Sequence, residues 1–166
     1  MKNLILYTLL LTTYINLNAQ PDWDLIEDTY IKGSISGTIT QGYLFKIYRD
    51  YYVVNEHTRQ RVRIRNPVVK IFQNGYNFKL IIEDFEEPVF CKRLKNVIET
   101  QISGEFTGWE GGTIFKMFNG QIWQQSSYSY NYHYAYKPSV LIYEYGGVWR
   151  MKVEDIDETI EVTRVD

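Results

Sequence analysis

Gly42-Tyr43-Leu44-Phe45-Lys46-Ile47-Tyr48 recurs as Gly112-Thr113-Ile114-Phe115-Lys116-Met117-Phe118, and a chain that repeats itself is read first through its repeat. Upstream of this pair, Ile35-Ser36-Gly37-Thr38-Ile39-Thr40 aligns with Ile102-Ser103-Gly104-Glu105-Phe106-Thr107. Downstream, Pro67 answers Pro138, Val69 answers Val140, Ile71 answers Ile142 and Gly75 answers Gly146. The copies close with Glu83-Asp84 against Glu154-Asp155, Glu87 against Glu158 and Arg93 against Arg164. The order never breaks, so the chain is two copies of one unit, residues 35–94 and 102–165. In this alignment residues 108–112 are an insertion, a surface loop tipped by Trp109. Residues 95–101 form a connector too short for a flexible tether. Residues 20–34 are a lead-in with Trp23, Ile26 and Tyr30, read as a short helix packed on the first copy.

Inside a copy the signals are strands and turns. Residues 44–54 and 62–72 are rich in β-branched and aromatic side chains, which favour strands. Asn74-Gly75 separates residues 68–72 from 78–82, and Tyr145-Gly146-Gly147 separates residues 140–143 from 148–153; both are hairpin signatures. Asn119-Gly120 marks another turn, and the acidic segments 84–87 and 155–158 lead into a last short strand. No sustained helical period appears between residues 35 and 165. The expected fold class is all-β: a tandem duplication of a small SH3-like or OB-like five-stranded barrel or bent sheet, preceded by a signal peptide. Phe45, Ile71, Phe115 and Ile142 are expected in the cores.

Residues 1–19 read as that signal peptide. Lys2 is the basic start, residues 4–14 are a short apolar run, and Leu17-Asn18-Ala19 ends on a small residue before Gln20. The run is short for a bilayer span, which needs about 20 apolar residues, and no cysteine stands at the cut to carry a lipid. The expectation is an exported protein, periplasmic, outer-membrane-associated or secreted, with no transmembrane segment after leader removal. Cys91, the single cysteine, permits no intramolecular disulfide and reads as a plain strand residue. A net charge of -2 over 166 residues gives no bulk attraction for polyanions, so nucleic acid is not an expected partner.

The stretch Asn119-Gly120-Gln121-Ile122-Trp123-Gln124-Gln125, with the tyrosines that follow it, Lys137-Pro138 and Tyr145-Gly146-Gly147, resembles a family of uncharacterised small exported bacterial β-proteins. The resemblance covers residues 104–165; the first copy carries Arg49-Asp50-Tyr51-Tyr52-Val53-Val54-Asn55 in the aligned region. It implies kinship of fold and no activity. The leader resembles those of Bacteroidetes-type exported proteins.

The chemistry-bearing feature is a ladder. Tyr128, Tyr130, Tyr132, Tyr134 and Tyr136 alternate with Ser127, Ser129, Asn131, His133 and Ala135, and alternate strand residues share a face. Carried back from Pro138 to Pro67, the repeat sets Tyr130, Tyr132, Tyr134 and Tyr136 against Arg59, Arg61, Arg63 and Arg65, and His133 and Ala135 against Val62 and Ile64. Four unpaired guanidinium groups cannot line a core, so the arginine face, and by the repeat the tyrosine face, should point away from it. Two readings fit. As a site, aromatic faces suit sugar rings, a peptide or a partner protein, arginines suit carboxylates or phosphates, and Trp123 and Trp109 could extend the patch. As structure, the tyrosines cover the other copy or stack under the arginines.

Nothing else rises to a constellation. His57 and His133 have no companion at metal-ligand spacing, and no metal or cofactor is expected. The carboxylates at 83–87 and 154–158 recur at one turn in both copies, which marks them as turn chemistry rather than a glycosidase pair. The functional expectation is a non-catalytic interaction module for a protein partner or envelope glycan. The alternative is a structural accessory of an envelope complex with the same face buried.

Overall fold

The computed structural model describes residues 22–165; the signal-peptide reading of residues 1–19 lies outside them. The described residues hold sixteen strands and no helix, so none crosses a membrane as a long apolar helix. The first copy contains β1 (Asp24–Tyr30), β2 (Ser34–Thr40), β3 (Leu44–Ile47), β4 (Asp50–Val54), β5 (Arg59–Arg65), β6 (Val68–Asn74), β7 (Asn77–Ile82) and β8 (Val89–Arg93). The second contains β9 (Val97–Gln101), β10 (Glu105–Glu110), β11 (Ile114–Lys116), β12 (Ile122–Gln125), β13 (Tyr130–Tyr136), β14 (Ser139–Tyr145), β15 (Val148–Val153) and β16 (Thr159–Arg164).

The two topologies are identical. A six-stranded antiparallel sheet runs β1-β6-β7-β8-β4-β3 in one copy and β9-β14-β15-β16-β12-β11 in the other, each accompanied by a two-stranded ribbon, β2-β5 or β10-β13. Each sheet curls into a half-barrel around its own core. Phe45, Ile71, Phe78 and Leu80 fill the first; Phe115, Ile142, Met151 and Trp123 fill the second. The all-β tandem read from sequence is therefore what the chain forms, with eight short strands per copy rather than about five. The extra count comes partly from a turn at Tyr48-Arg49 that splits residues 44–54 without glycine or proline; Tyr48 itself takes φ 53°.

Two sequence expectations need correcting. The lead-in is a strand, not a helix: β1 pairs with β6 from Asp24↔Gln73 to Tyr30↔Val68. β9, inside the expected connector, pairs with β14 in the same way, so each sheet begins upstream of the repeat as first drawn. The second correction is one of register. Ile31 N donates to Pro67 O as Ile102 N donates to Pro138 O, and Asn66 N to Gly33 O as Lys137 N to Gly104 O. Gly33 and Gly104 share positive φ, 103° and 116°. Ile31-Lys32-Gly33 is thus the true counterpart of Ile102-Ser103-Gly104, and the Ile35-Ser36-Gly37 match lies four residues out of register. Residues 108–112 are no insertion: Trp109 faces Asn131 where Ile39 faces Gln60, and both side chains are fully buried.

The Asn74-Gly75 and Tyr145-Gly146 hairpins coincide, with Gly75 at φ 58° and Gly146 at φ 64°. The turn carboxylates coincide as well. Glu83 Oε2 accepts from Val68 N at 3.0 Å and Glu154 Oε2 from Ser139 N at 3.3 Å, beside Asp84 and Asp155 at φ 60° and 61°. These acids close a turn in each copy.

A third cluster joins the copies. Tyr51, Val53 and Leu94 pack with Tyr143, backed by Leu44, Val97, Leu141 and Tyr145. Lys46 Nζ donates to Glu99 Oε2 across it at 2.6 Å. That bond pushes the Lys46 pKa above its ordinary 10.5. Its small contribution is present at neutral pH and lost only as pH rises through that raised pKa; both side chains are about half exposed, so solvent screens the pair.

Phe45→Ala and Phe115→Ala should each cost about 3–5 kcal/mol, read as a lowered midpoint in urea, because both rings are buried in a core. Burial pushes the Cys91 thiol well above its ordinary range. A thiol reagent at pH 8 should therefore label Cys91 only after denaturant unfolds the first copy.

Candidate functional site

The register of the ribbons explains their outer faces. In β2-β5 each arginine stands opposite a hydroxyl residue: Arg65↔Ser34, Arg63↔Ser36, Arg61↔Thr38 and Arg59↔Thr40. All four arginines are exposed, while Val62 and Ile64 pack toward the first core. None of the four makes a side-chain hydrogen bond or ion pair within the described residues.

The same position in the second copy carries the tyrosines. Tyr130, Tyr132, Tyr134 and Tyr136 are 71%, 71%, 56% and 64% exposed, with Ala135 against the second core and His133 half-buried near Phe106. Within the described residues, no ladder ring packs on another aromatic ring or under an arginine. Tyr136 alone takes a cation, Lys137 Nζ at 5.1 Å, which also lies 5.2 Å from the exposed ring of Phe118. The ladder therefore neither covers the other copy nor stacks on the arginines. Tyr134 donates weakly to Glu105 Oε1 at 3.4 Å, and the Glu105 charge pushes its pKa up.

Trp109 and Trp123 do not belong to this face. Trp109 sits on the inner side of β10 against Phe106 and Phe115, and Trp123 packs on Trp149 in the second core. Trp123 takes the place of Tyr52, since it pairs with Arg164 as Tyr52 pairs with Arg93. Trp109 Nε1 is buried without a hydrogen-bond partner among the described residues, as is Asn55 Oδ1.

The motif residues around Trp123 hold the ladder in place. Gln121 Oε1 accepts from Trp123 Nε1 at 3.2 Å and from Asn119 Nδ2 at 3.1 Å, closing the β11-β12 turn on itself. Gln125 is buried, accepts from Gly111 N at 3.1 Å and donates to Ser127 O and Ser129 O at 2.9 and 3.0 Å. Ser129 Oγ donates to Glu158 Oε1 at 2.5 Å. The segment around Tyr128 is thus fixed before β13 begins at Tyr130. Tyr128, 88% exposed, lies over Gly111 at its start.

One of the clefts between the copies escaped sequence reasoning. It measures about 910 Å³ and is lined by Ser36, Thr38 and Thr40 on one side and Tyr143, Arg150 and Lys152 on the other. Burial lowers the Lys152 pKa, and its ammonium donates to Ile156 O and Asp157 O at 2.9 and 3.2 Å. Extending the Pro67–Pro138 offset upstream to Gly33 and Gly104 was the available signal that this side of β2 belongs to a continuous unit. No group of three or more potential metal ligands occurs among the described residues.

Gly108, opposite Tyr132 at a bulge in the ribbon, has φ 103°, and a Cβ there would lie 1.8 Å from Asn131 O. Gly108→Ala should cost more than the same change at Gly33, where φ is also 103° but nothing lies within 4 Å. The expected gap exceeds about 1 kcal/mol, since Gly33→Ala adds backbone strain alone; thermal denaturation of the pair measures it. Comparison with protein-family models, with curated proteins and with solved structures finds no match to this chain, and the functional reading rests on the ribbon faces themselves.

Proposed function

We propose that this chain is an exported, non-catalytic interaction module that recognises a protein partner or an envelope glycan through the tyrosine ladder. The arginine ribbon serves as its second contact face. The observation that carries the reading is the exposure of four evenly spaced tyrosines on a strand whose approach is hydrogen-bonded in place. Alternate strand residues lie roughly 6.8 Å apart, so the rings form a row of flat, amphipathic surfaces that offer apolar area and a hydroxyl together. A row held rigid before contact loses little conformational freedom on binding. The net charge of -2 is no obstacle to this recognition, because it works through ring faces and hydroxyls.

Export is part of the proposal: the mature chain begins at Gln20, which the mass of the protein recovered from an envelope or culture fraction checks. A Tyr132→Ala, Tyr134→Ala double variant should lose capture of envelope material while its unfolding free energy stays within about 0.5 kcal/mol, as for other surface changes. Separate capture assays with purified envelope polysaccharide and with envelope protein extract distinguish the two ligand classes. Early melting of the variant would instead make the ladder a structural feature.

A further inference from the structure

The contact between the copies is heterologous: the β3-β4 face of the first copy meets the β9-β14 face of the second. Because the copies share one topology, each also owns the face that its neighbour used, and among the described residues no other sheet packs on either, though Lys79 Nζ lies 4.8 Å over the Phe72 ring. On the second copy, Ile114, Lys116, Ile122 and Val165 occupy the places of Leu44, Lys46, Tyr51 and Leu94. On the first copy, Leu25 pairs with Phe72 as Val97 pairs with Tyr143, and Asp28 pairs with Lys70 as Glu99 pairs with Leu141.

Three apolar members of these two faces are the most exposed aliphatic side chains among the described residues, Ile114 58%, Leu25 53% and Val165 48%, while Ile122 and Phe72 are half-buried. Their counterparts inside the molecule are buried or half-buried at the inter-copy cluster. Lys116 stands where Lys46 stands and Asp28 where Glu99 stands, the pair that bridges the copies at 2.6 Å; Asp28 lies 3.8 Å from Lys70 of its own chain, an exposed pair that solvent screens.

We propose that a second copy of this chain docks there. The β11-β12 face of one molecule meets the β1-β6 face of the next in the arrangement that already joins the two halves of each molecule. The Lys116 ammonium then bridges the Asp28 carboxylate of its neighbour. A heterologous contact of this kind leaves one donor and one acceptor face free at every step, so it builds open filaments or rings rather than closed two-fold dimers. The contact between molecules is weaker than the one within a molecule. Gln124 replaces Val53, Lys70 replaces Leu141 and Asn74 replaces Tyr145, and the internal contact also gains the high effective concentration of a short tether. Assembly is therefore concentration-dependent. This inference does not use the tyrosine ladder, which lies on a different strand.

Sedimentation velocity over a concentration series tests it. The wild-type chain should show a mean mass that rises beyond the dimer as concentration increases. Ile114→Asp and Leu25→Asp, each at an exposed position, should keep the wild-type melting temperature and remain monomeric when alone. Mixed in equal amounts they should form a dimer and nothing larger, because each variant keeps the one face that the other has lost. Lys116→Glu should weaken assembly at least about tenfold, and adding Asp28→Lys in the same chain should restore it. A wild-type chain that stays monomeric at every concentration overturns the proposal. So does a dimer that grows no further, or assembly that Ile114→Asp and Leu25→Asp leave intact.

Discussion

β4 of the first copy is buried on both of its faces, and the arrangement of the molecule follows from that. Tyr52 and Val54 point into the first core, while Tyr51 and Val53 point into the cluster shared with the second copy. A strand covered on both sides must be apolar at successive positions, which is the pattern of parallel and sandwiched strands rather than of one-sided antiparallel ones. The Asp50–Val54 segment satisfies this with two tyrosines and two valines. The second copy does not: Ile122 and Gln124 stand in place of Tyr51 and Val53, and both stay partly exposed. That difference makes the pair directional, with one covered face of each type and one open face of each type.

The ribbons β2-β5 and β10-β13 each send alternate residues toward their own core, and the outer positions of β5 and β13 each carry one uniform residue type. The inward positions Val62, Ile64 and Ala135 pack against the cores, as close packing demands, and the buried polar Gln60 is met by hydrogen bonds. The outward positions are free of that demand and have diverged completely, to four arginines in one copy and four tyrosines in the other. Conservation of inward chemistry beside replacement of outward chemistry is what a packed scaffold permits when its surface acquires separate contacts.

The Asn119–Gln125 motif belongs to the scaffold. Its asparagine and glutamines satisfy turn and strand backbone groups, and Gln125 meets residue 111 through its carbonyl oxygen and residues 127 and 129 through both amide hydrogens. A buried amide of this kind is stable only when its donors and acceptors are met. Gln60 solves a related problem in the first copy, bonding Thr58 Oγ1, Glu87 O and Glu87 N. Position 125 is Val54 in that copy, so the clamp on the approach to the ladder exists only where the ladder does.

Much of this was legible in the chain. Period-two alternation placed the arginines and tyrosines outward and Val62 and Ile64 inward, since side-chain direction in a strand is a local property. Asn74-Gly75 and Tyr145-Gly146 marked their hairpins because positive φ selects glycine, and the recurring acids marked a turn. The register of β2 against β10 was not legible: the triplet Ile-Ser-Gly occurs in both copies by identity, while the equivalence that matters is the shared backbone conformation of Gly33 and Gly104. The same error made a loop of Trp109, whose burial depends on a partner strand 22 residues away at Asn131. Sequence by itself thus determined the β-class, the glycine-marked hairpins and the inward and outward alternation along β5 and β13, because these depend on neighbours along the chain. Tertiary structure alone decided which of the equivalent faces are covered, because that depends on how one copy seats against the other.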